Sequence, residues 1–190
     1  MEPNLTAPRV LDEEYCIMTL PDVLSAAECA SLVAFAEGKG FAEAPITTFR
    51  GPVMAPEVRN NTRVMIDDPA RAAELWARVA HALPARARHG RSVGLNERFR
   101  FYRYEAGQCF RWHRDGAFER SNGERSRLTL MFYLNDDFEG GDTEFEGGLR
   151  VRPKRGAALV FLHPVRHQGA SVARGRKYVL RTDVMYAREG

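Results

Sequence analysis

The chain has 190 residues, 44% of them hydrophobic, with 28 Lys and Arg against 25 Asp and Glu and a formal net charge of +3. That is the length of one domain, with apolar material for a substantial core. So small a charge gives no case for nucleic acid on its own, and no stretch approaches the length of a membrane span. Three cysteines, Cys16, Cys29 and Cys109, are an odd number without metal spacing. They point to buried thiols in a reducing compartment, not a disulfide framework. The early acids Glu2, Asp12, Glu13 and Glu14, with no apolar signal core, lead us to expect a cytoplasmic protein.

Ser25 opens a capping box with Glu28, and Cys29, Leu32, Val33 and Phe35 follow at helical spacing until Gly38 and Gly40 end the helix. Arg59-Asn60-Asn61-Thr62-Arg63 is a polar cluster leading into a strand at Val64-Met65-Ile66. It reads equally as an ordinary loop or as part of a pocket mouth where Asn60, Asn61 and Arg63 meet polar groups of a substrate. Asp68-Pro69 is an N-cap with Pro at the first helical position. Ala72, Leu75, Trp76, Val79 and Leu83 then recur on one face until Pro84. Both helices are expected to buttress the outside of a β structure.

From Phe99 onward the chain is strands and glycine turns. Arg127 to Leu134 is apolar on both faces, so it should be central, and Ala157 to Leu162 is similar. Glu139-Gly140-Gly141-Asp142 and Glu146-Gly147-Gly148 flank a short strand at Thr143-Glu144-Phe145, and Lys177 to Tyr186 is a long strand rich in β-branched and aromatic residues. Seven or eight such strands without intervening helices imply a sandwich or jelly roll. Gly116 to Arg125, polar and glycine-containing, reads either as a lid or as a plain hairpin loop.

His113-x-Asp115 is the most informative feature. Residues i and i+2 of a strand share a face, so this pair can aim at one ion from a strand end. His167, from a different strand, would complete a set of two imidazoles and one carboxylate on one face of Fe(II), leaving three positions open. His163 competes with His167 for that role. His167 is favoured because it begins His167-Gln168-Gly169 and lies ten residues before Lys177.

Around these residues stand Tyr104-Glu105-Ala106-Gly107-Gln108, Tyr133-Leu134-Asn135-Asp136 and Gly140-Gly141-Asp142-Thr143. Over residues 99 to 186 this order resembles the iron(II)/2-oxoglutarate-dependent dioxygenases, in particular their prolyl 4-hydroxylase-like branch. The resemblance implies a mainly β fold with flanking α-helices, a double-stranded β-helix (jelly roll) supported by N-terminal helices. It implies His113, Asp115 and His167 as iron ligands and catalytic centre. Lys177 would pair with the far carboxylate of 2-oxoglutarate, with Tyr133 and Tyr104 as hydroxyl donors. Arg181, on the same strand face, competes with Lys177 as that anchor. Asp142 replaces the Glu usual in the family's turn and is expected to face a loop.

The implied cofactor is Fe(II), with 2-oxoglutarate as co-substrate and ascorbate as a reductant. We expect one domain over 1–190, in which 1–98 supplies support and substrate-side elements and 99–186 the jelly-roll core. The expected reaction is hydroxylation of a prolyl or other side chain of a peptide or protein, releasing succinate and CO2. Alternatives are the same chemistry on a free amino acid or small metabolite, or a non-catalytic metal-binding jelly-roll sensor. The nucleic-acid dealkylating branch carries two arginines six apart after its distal His, and Arg174, Arg176, Arg181 and Arg188 contain no such pair. Neither nucleic acid nor membrane is expected as a partner.

Overall fold

A computed structural model describes residues 7–48, 50–87 and 90–188. Glu2, among the early acids, lies outside the described residues. The chain forms a large and a small antiparallel sheet facing each other, with helices on the outer side of the large one. The large sheet runs Arg9–Asp12, Ile17–Leu20, Ala158–Leu162, Arg125–Tyr133, Lys177–Ala187, Arg98–Tyr104, Thr62–Asp67 and Ala42–Glu43. Gly90–Leu95 extends it beside the far end of Lys177–Ala187. The small sheet runs Phe110–His113, His167–Gly169, Thr143–Phe145 and Arg150–Val151. This is the expected jelly roll. The strand segments outnumber the seven or eight expected because short edge pairs such as Glu139–Gly140 with Val172–Arg174 carry little hydrophobic signal.

Strand alternation sorts the side chains into two cores. Leu128, Leu130 and Phe132 pack with Leu180 and Val184, Ala158 and Val160, and Phe99 and Phe101, toward the helices. Their neighbours Tyr133, Val179, Leu159, Phe161 and Tyr102 point the other way and meet Phe145 and Val165 between the sheets. The Arg125–Tyr133 strand is central, and its two faces are buried in the two cores, Leu128, Leu130 and Phe132 on one side and Tyr133 on the other.

Helix α1, Ala26–Lys39, begins at Ser25 with both capping-box hydrogen bonds in place. Gly38 falls inside it, and Gly40 at φ 79° ends it. Helix α2, Pro69–Val79, begins with the Asp68 side chain accepting from the Arg71 N–H. It ends earlier than Pro84 suggested, tightening into a 3₁₀ turn over Ala80–Ala82. Leu83 still buries with Ala72, Leu75 and Val79, since that turn keeps it against the core. No described helix is long and apolar enough to cross a membrane.

Of the two readings of Gly116 to Arg125, the hairpin is found. Arg120 forms ion pairs with Glu97 and Glu124, and the Ser126 N–H donates to the Phe118 carbonyl. These contacts tie the segment to the large sheet.

Candidate active site

The Phe110–His113 and His167–Gly169 strands pair antiparallel with His113 directly opposite His167. The pairing brings two histidines 54 positions apart into contact, with ring centroids 4.3 Å apart. Asp115 lies just past the strand end, and its side chain converges with that of His113 as the i, i+2 spacing suggested. The backbone turns there because the Asp115 N–H donates to the His163 carbonyl. One nitrogen or oxygen from each of His113, Asp115 and His167 falls within 4.8 Å of the others, a spacing suited to a single ion.

The imidazole tautomers are set by the backbone. His113 Nδ1 lies 2.7 Å from the Arg111 carbonyl and His167 Nδ1 lies 3.0 Å from the Val165 carbonyl. Each Nδ1–H donates to its carbonyl, leaving both Nε2 lone pairs free for a metal. The two Nε2 atoms each stand 3.7 Å from an Asp115 oxygen. Burial, then the neighbouring His167, pulls the His113 pKa down to about 3, and burial also lowers that of His167. Neutral imidazoles are what a metal requires. Burial pushes the Asp115 carboxyl up, but Arg181 and the two imidazoles outweigh it and hold it well below the usual range. Asp115 Oδ2 accepts from Thr129 Oγ1 at 2.6 Å and faces Arg181 Nη2 at 3.2 Å. Its other oxygen is left for an ion. This donor set fits Fe(II) with open positions.

His163 is buried too, but both its ring nitrogens are engaged, by Ser126 Oγ at 2.9 Å and Thr129 Oγ1 at 3.0 Å. Thr129 thus touches both Asp115 and His163. Nothing in its local sequence marks it beyond its place on the central strand.

One narrow cleft between the sheets is lined by His113, Asp115 and His167 together with Tyr104, Thr143, Lys177 and Arg181. Lys177 is 2% exposed, and its Nζ donates to the Gly141 carbonyl at 2.6 Å between the rings of Tyr104 and Tyr133. Gly141 has φ 69°, a left-handed backbone that favours glycine, and a Cβ there would crowd Phe138 at 3.0 Å and Lys177 Cδ at 3.3 Å. Burial lowers the Lys177 pKa to about 8, opposed by the charge of Asp142. Asp142 therefore acts on the cleft rather than only facing a loop. The Tyr133 and Thr143 hydroxyls are 2.7 Å apart, and the Tyr104 hydroxyl lies beside Gly169.

Arg181 is committed elsewhere. Its Nη2 pairs with Asp115 and with Asp183 at 3.1 Å, and these two carboxylates hold its pKa up against burial. Glu105 pairs with Arg103 and Arg176.

Of the three residues expected at the mouth, Asn60 supports the start of the ligand strand and Asn61 holds its own neighbours. Asn60 Oδ1 accepts from the Cys109 N–H, and buried Asn61 accepts from Arg59 Nε at 2.8 Å while donating to the Thr62 carbonyl. Asn61 is 1% exposed and has no face left for a substrate, because its amide is spent on its neighbours. Arg63 is half-buried on the interior face, opposite Tyr102. Arg59, not singled out by sequence, is 4% exposed and sandwiched between Tyr102 and Phe110. Phe110 in turn stacks on His113 at 3.5 Å. A buried arginine in a run of exposed-looking polar residues leaves no local signal.

Residues 99–182 match the model of the 2OG-Fe(II) oxygenase superfamily. Prolyl 4-hydroxylase 1 of Arabidopsis thaliana is 25% identical over 81% of this chain, which spans 60% of that relative's length. Among solved structures, a viral collagen prolyl hydroxylase from Paramecium bursaria Chlorella virus-1, in a 2-oxoglutarate complex, aligns with TM-score 0.62 and 18% identity over 90% of this chain and 96% of that one. A Trichoplax adhaerens prolyl hydroxylase, in complex with a hypoxia-inducible-factor peptide fragment, aligns with TM-score 0.65 and 16% identity over 88% and 82%. These likenesses establish a common fold. Residues 99–182, which carry the His–Asp–His site, are thus similar to the 2OG-Fe(II) oxygenase superfamily and, through the relatives named, to prolyl hydroxylases.

Proposed function

We propose that the chain is a 2-oxoglutarate- and O2-dependent hydroxylase acting on a prolyl or other side chain of a peptide or protein, releasing succinate and CO2. The observation that carries this reading is one cleft holding the His–Asp–His trio and a buried ammonium that makes no ion pair among the described residues. His113, Asp115 and His167 would hold Fe(II), which supplies the oxidising chemistry once 2-oxoglutarate and O2 are bound. Lys177 would receive the far carboxylate of 2-oxoglutarate in place of the Gly141 carbonyl, with hydroxyls of Tyr104 and the Tyr133–Thr143 pair nearby. Phe110, Met131 and Val179 keep water from the reacting groups. Ascorbate would serve as reductant. The names of the relatives favour a peptide over a free amino acid.

Purified protein supplied with Fe(II) should consume 2-oxoglutarate and release succinate, more with proline-containing peptides than with methylated oligonucleotides. Replacing His167 by Ala should abolish metal uptake, measured by metal content after dialysis. Consumption no greater than in a metal-free control would sink the oxygenase reading. A response confined to alkylated oligonucleotides would sink only the substrate.

A further inference from the structure

The cleft has a flank that the oxygenase chemistry does not use. Residues paired across antiparallel strands share a face, so Arg63, Tyr102 and Val179 form one interior row, and Met65, Arg100 and Arg181 the next. Met65 is 44% exposed, so the interior face opens to solvent along the Thr62–Asp67 strand. Tyr102 and Phe110 line the cleft at this opening, and Arg59 lies against both rings, 4.6 Å and 4.5 Å from their centroids.

The charges here do not balance. Arg100 and Arg181 are paired with Asp183 and Asp115. Arg59 and Arg63 make no ion pair among the described residues. Arg59 uses its Nε on Asn61, but its Nη2 is buried without any hydrogen-bond partner. An unmatched buried donor on a cation is costly. Burial, then the charge of Arg59, lowers the pKa of Arg63. Tyr102, fully enclosed, is lowered despite burial because Arg181, Arg59 and Arg100 surround it.

We propose that Arg59 and Arg63 form an anion subsite at the mouth of the cleft that receives a carboxylate of the substrate. Each guanidinium offers N–H donors to one carboxylate oxygen, and the anion supplies the charge and the acceptor that Arg59 Nη2 lacks. The carboxylate comes either from an acidic side chain beside the oxidised residue or from a chain terminus. This rests on the hydroxylase reading above and narrows its substrate to acidic or C-terminal sequences. It also separates two jobs: Lys177 serves the co-substrate, and Arg59 with Arg63 serve the substrate.

The test is calorimetric titration of the full chain loaded with Mn(II) and 2-oxoglutarate. The probes are acetyl-Gly-Pro-Glu-amide against its Gln twin, and acetyl-Gly-Pro carboxylate against its amide. At least one carboxylate probe should bind tenfold or more tighter than its neutral twin, and the responding pair identifies the source. Arg63→Gln should erase most of that preference, and Arg59→Gln all of it, with 2-oxoglutarate affinity unchanged. Arg63 is half-buried, so its variant keeps the test open if Arg59→Gln fails to fold. Equal binding of the twins, binding of no probe, a preference surviving in the folded variants, or a loss of 2-oxoglutarate affinity instead would each overturn the subsite. Failure of the unaltered protein to bind Mn(II) and 2-oxoglutarate would instead strike the hydroxylase reading itself.

Discussion

Lys177 and Arg181 project from one face of one strand, four residues and about 13 Å apart, and the two ends of the cleft they mark are built differently. At the Arg181 end every charge has a partner: Asp115 and Asp183 on Arg181, Asp183 on Arg100, and Thr129 between Asp115 and His163. At the Lys177 end a buried ammonium sits between two tyrosine rings with one backbone carbonyl for company. The first arrangement pairs its own charges and fixes a metal ligand. The second has no ion-pair contact among the described residues and feels only the charge of Asp142. A sequence interval and a strand face cannot separate the two cations; their neighbours do.

The largest expected effect breaks the paired end. Arg181→Met leaves buried Asp115 without its cation and Asp183 with Arg100 alone, and should destabilise the protein by about 3–5 kcal/mol, read as a fall in urea midpoint. If the loss is under about 1 kcal/mol, the Asp115–Arg181–Asp183 cluster is not what holds this end together.

At the other end the same kind of change should act with opposite sign. Burial lowers the Lys177 pKa from 10.5 to about 8. The charged lysine thus costs the ligand-free fold about 3 kcal/mol at pH values below about 8. That cost fades as pH rises from about 8 toward 10.5. Lys177→Met should therefore stabilise the ligand-free protein at pH 7, less the lost hydrogen bond to Gly141, and lose this advantage near pH 10.5. Equal stabilisation at both pH values would show that the lysine's charge is not the cause.

The same substitution should weaken 2-oxoglutarate binding by about 1.5–3 kcal/mol, the range for a hydrogen bond to a charged group. Arg181→Met should weaken it less. Unaltered protein should bind 2-oxoglutarate evenly below about pH 8 and progressively less well above it, as the lysine loses its proton. Lys177→Arg, where it folds, should remove that pH dependence. Anaerobic titration across pH decides the point, and a larger loss for the Arg181 variant would move the anchor along the strand.

The smallest effect sharpens the boundary of the paired end. His163→Gln removes hydrogen bonds to Ser126 and Thr129, worth about 1 kcal/mol each. Metal affinity should stay within a few fold. A large loss of metal would make His163 part of the centre rather than a support for Thr129.

Much of the architecture is legible in the residues. Ser25 with Glu28, and Asp68 with Pro69, act through backbone groups a few positions away, so the helix starts can be read locally. The central strand shows itself by being apolar on both faces. The helix ends were less legible: Gly38 lies within α1, and α2 tightens at Val79, since packing of Leu83 rather than Pro84 decides where it stops. The three cleft ligands stand out because His113 and Asp115 are two residues apart and His167 precedes Lys177 by a fixed interval. Thr129 and Arg59 do not stand out, because their importance comes from contacts 14 and 51 residues away, with Asp115 and Phe110. Asn61 looked available for a substrate until burial beside Arg59 consumed its amide.

The sequence by itself determined what depends on short range: the strand alternation, the caps, the glycine at 141 and the supply of two imidazoles, a carboxylate and a lysine in a workable order. The tertiary structure alone decided which charges cancel. Pairing energies between buried groups depend on separations of a few ångströms across strands far apart in the chain. Only the closed sheets commit Arg181 to Asp115 and leave Lys177, Arg59 and Arg63 without an ion pair among the described residues.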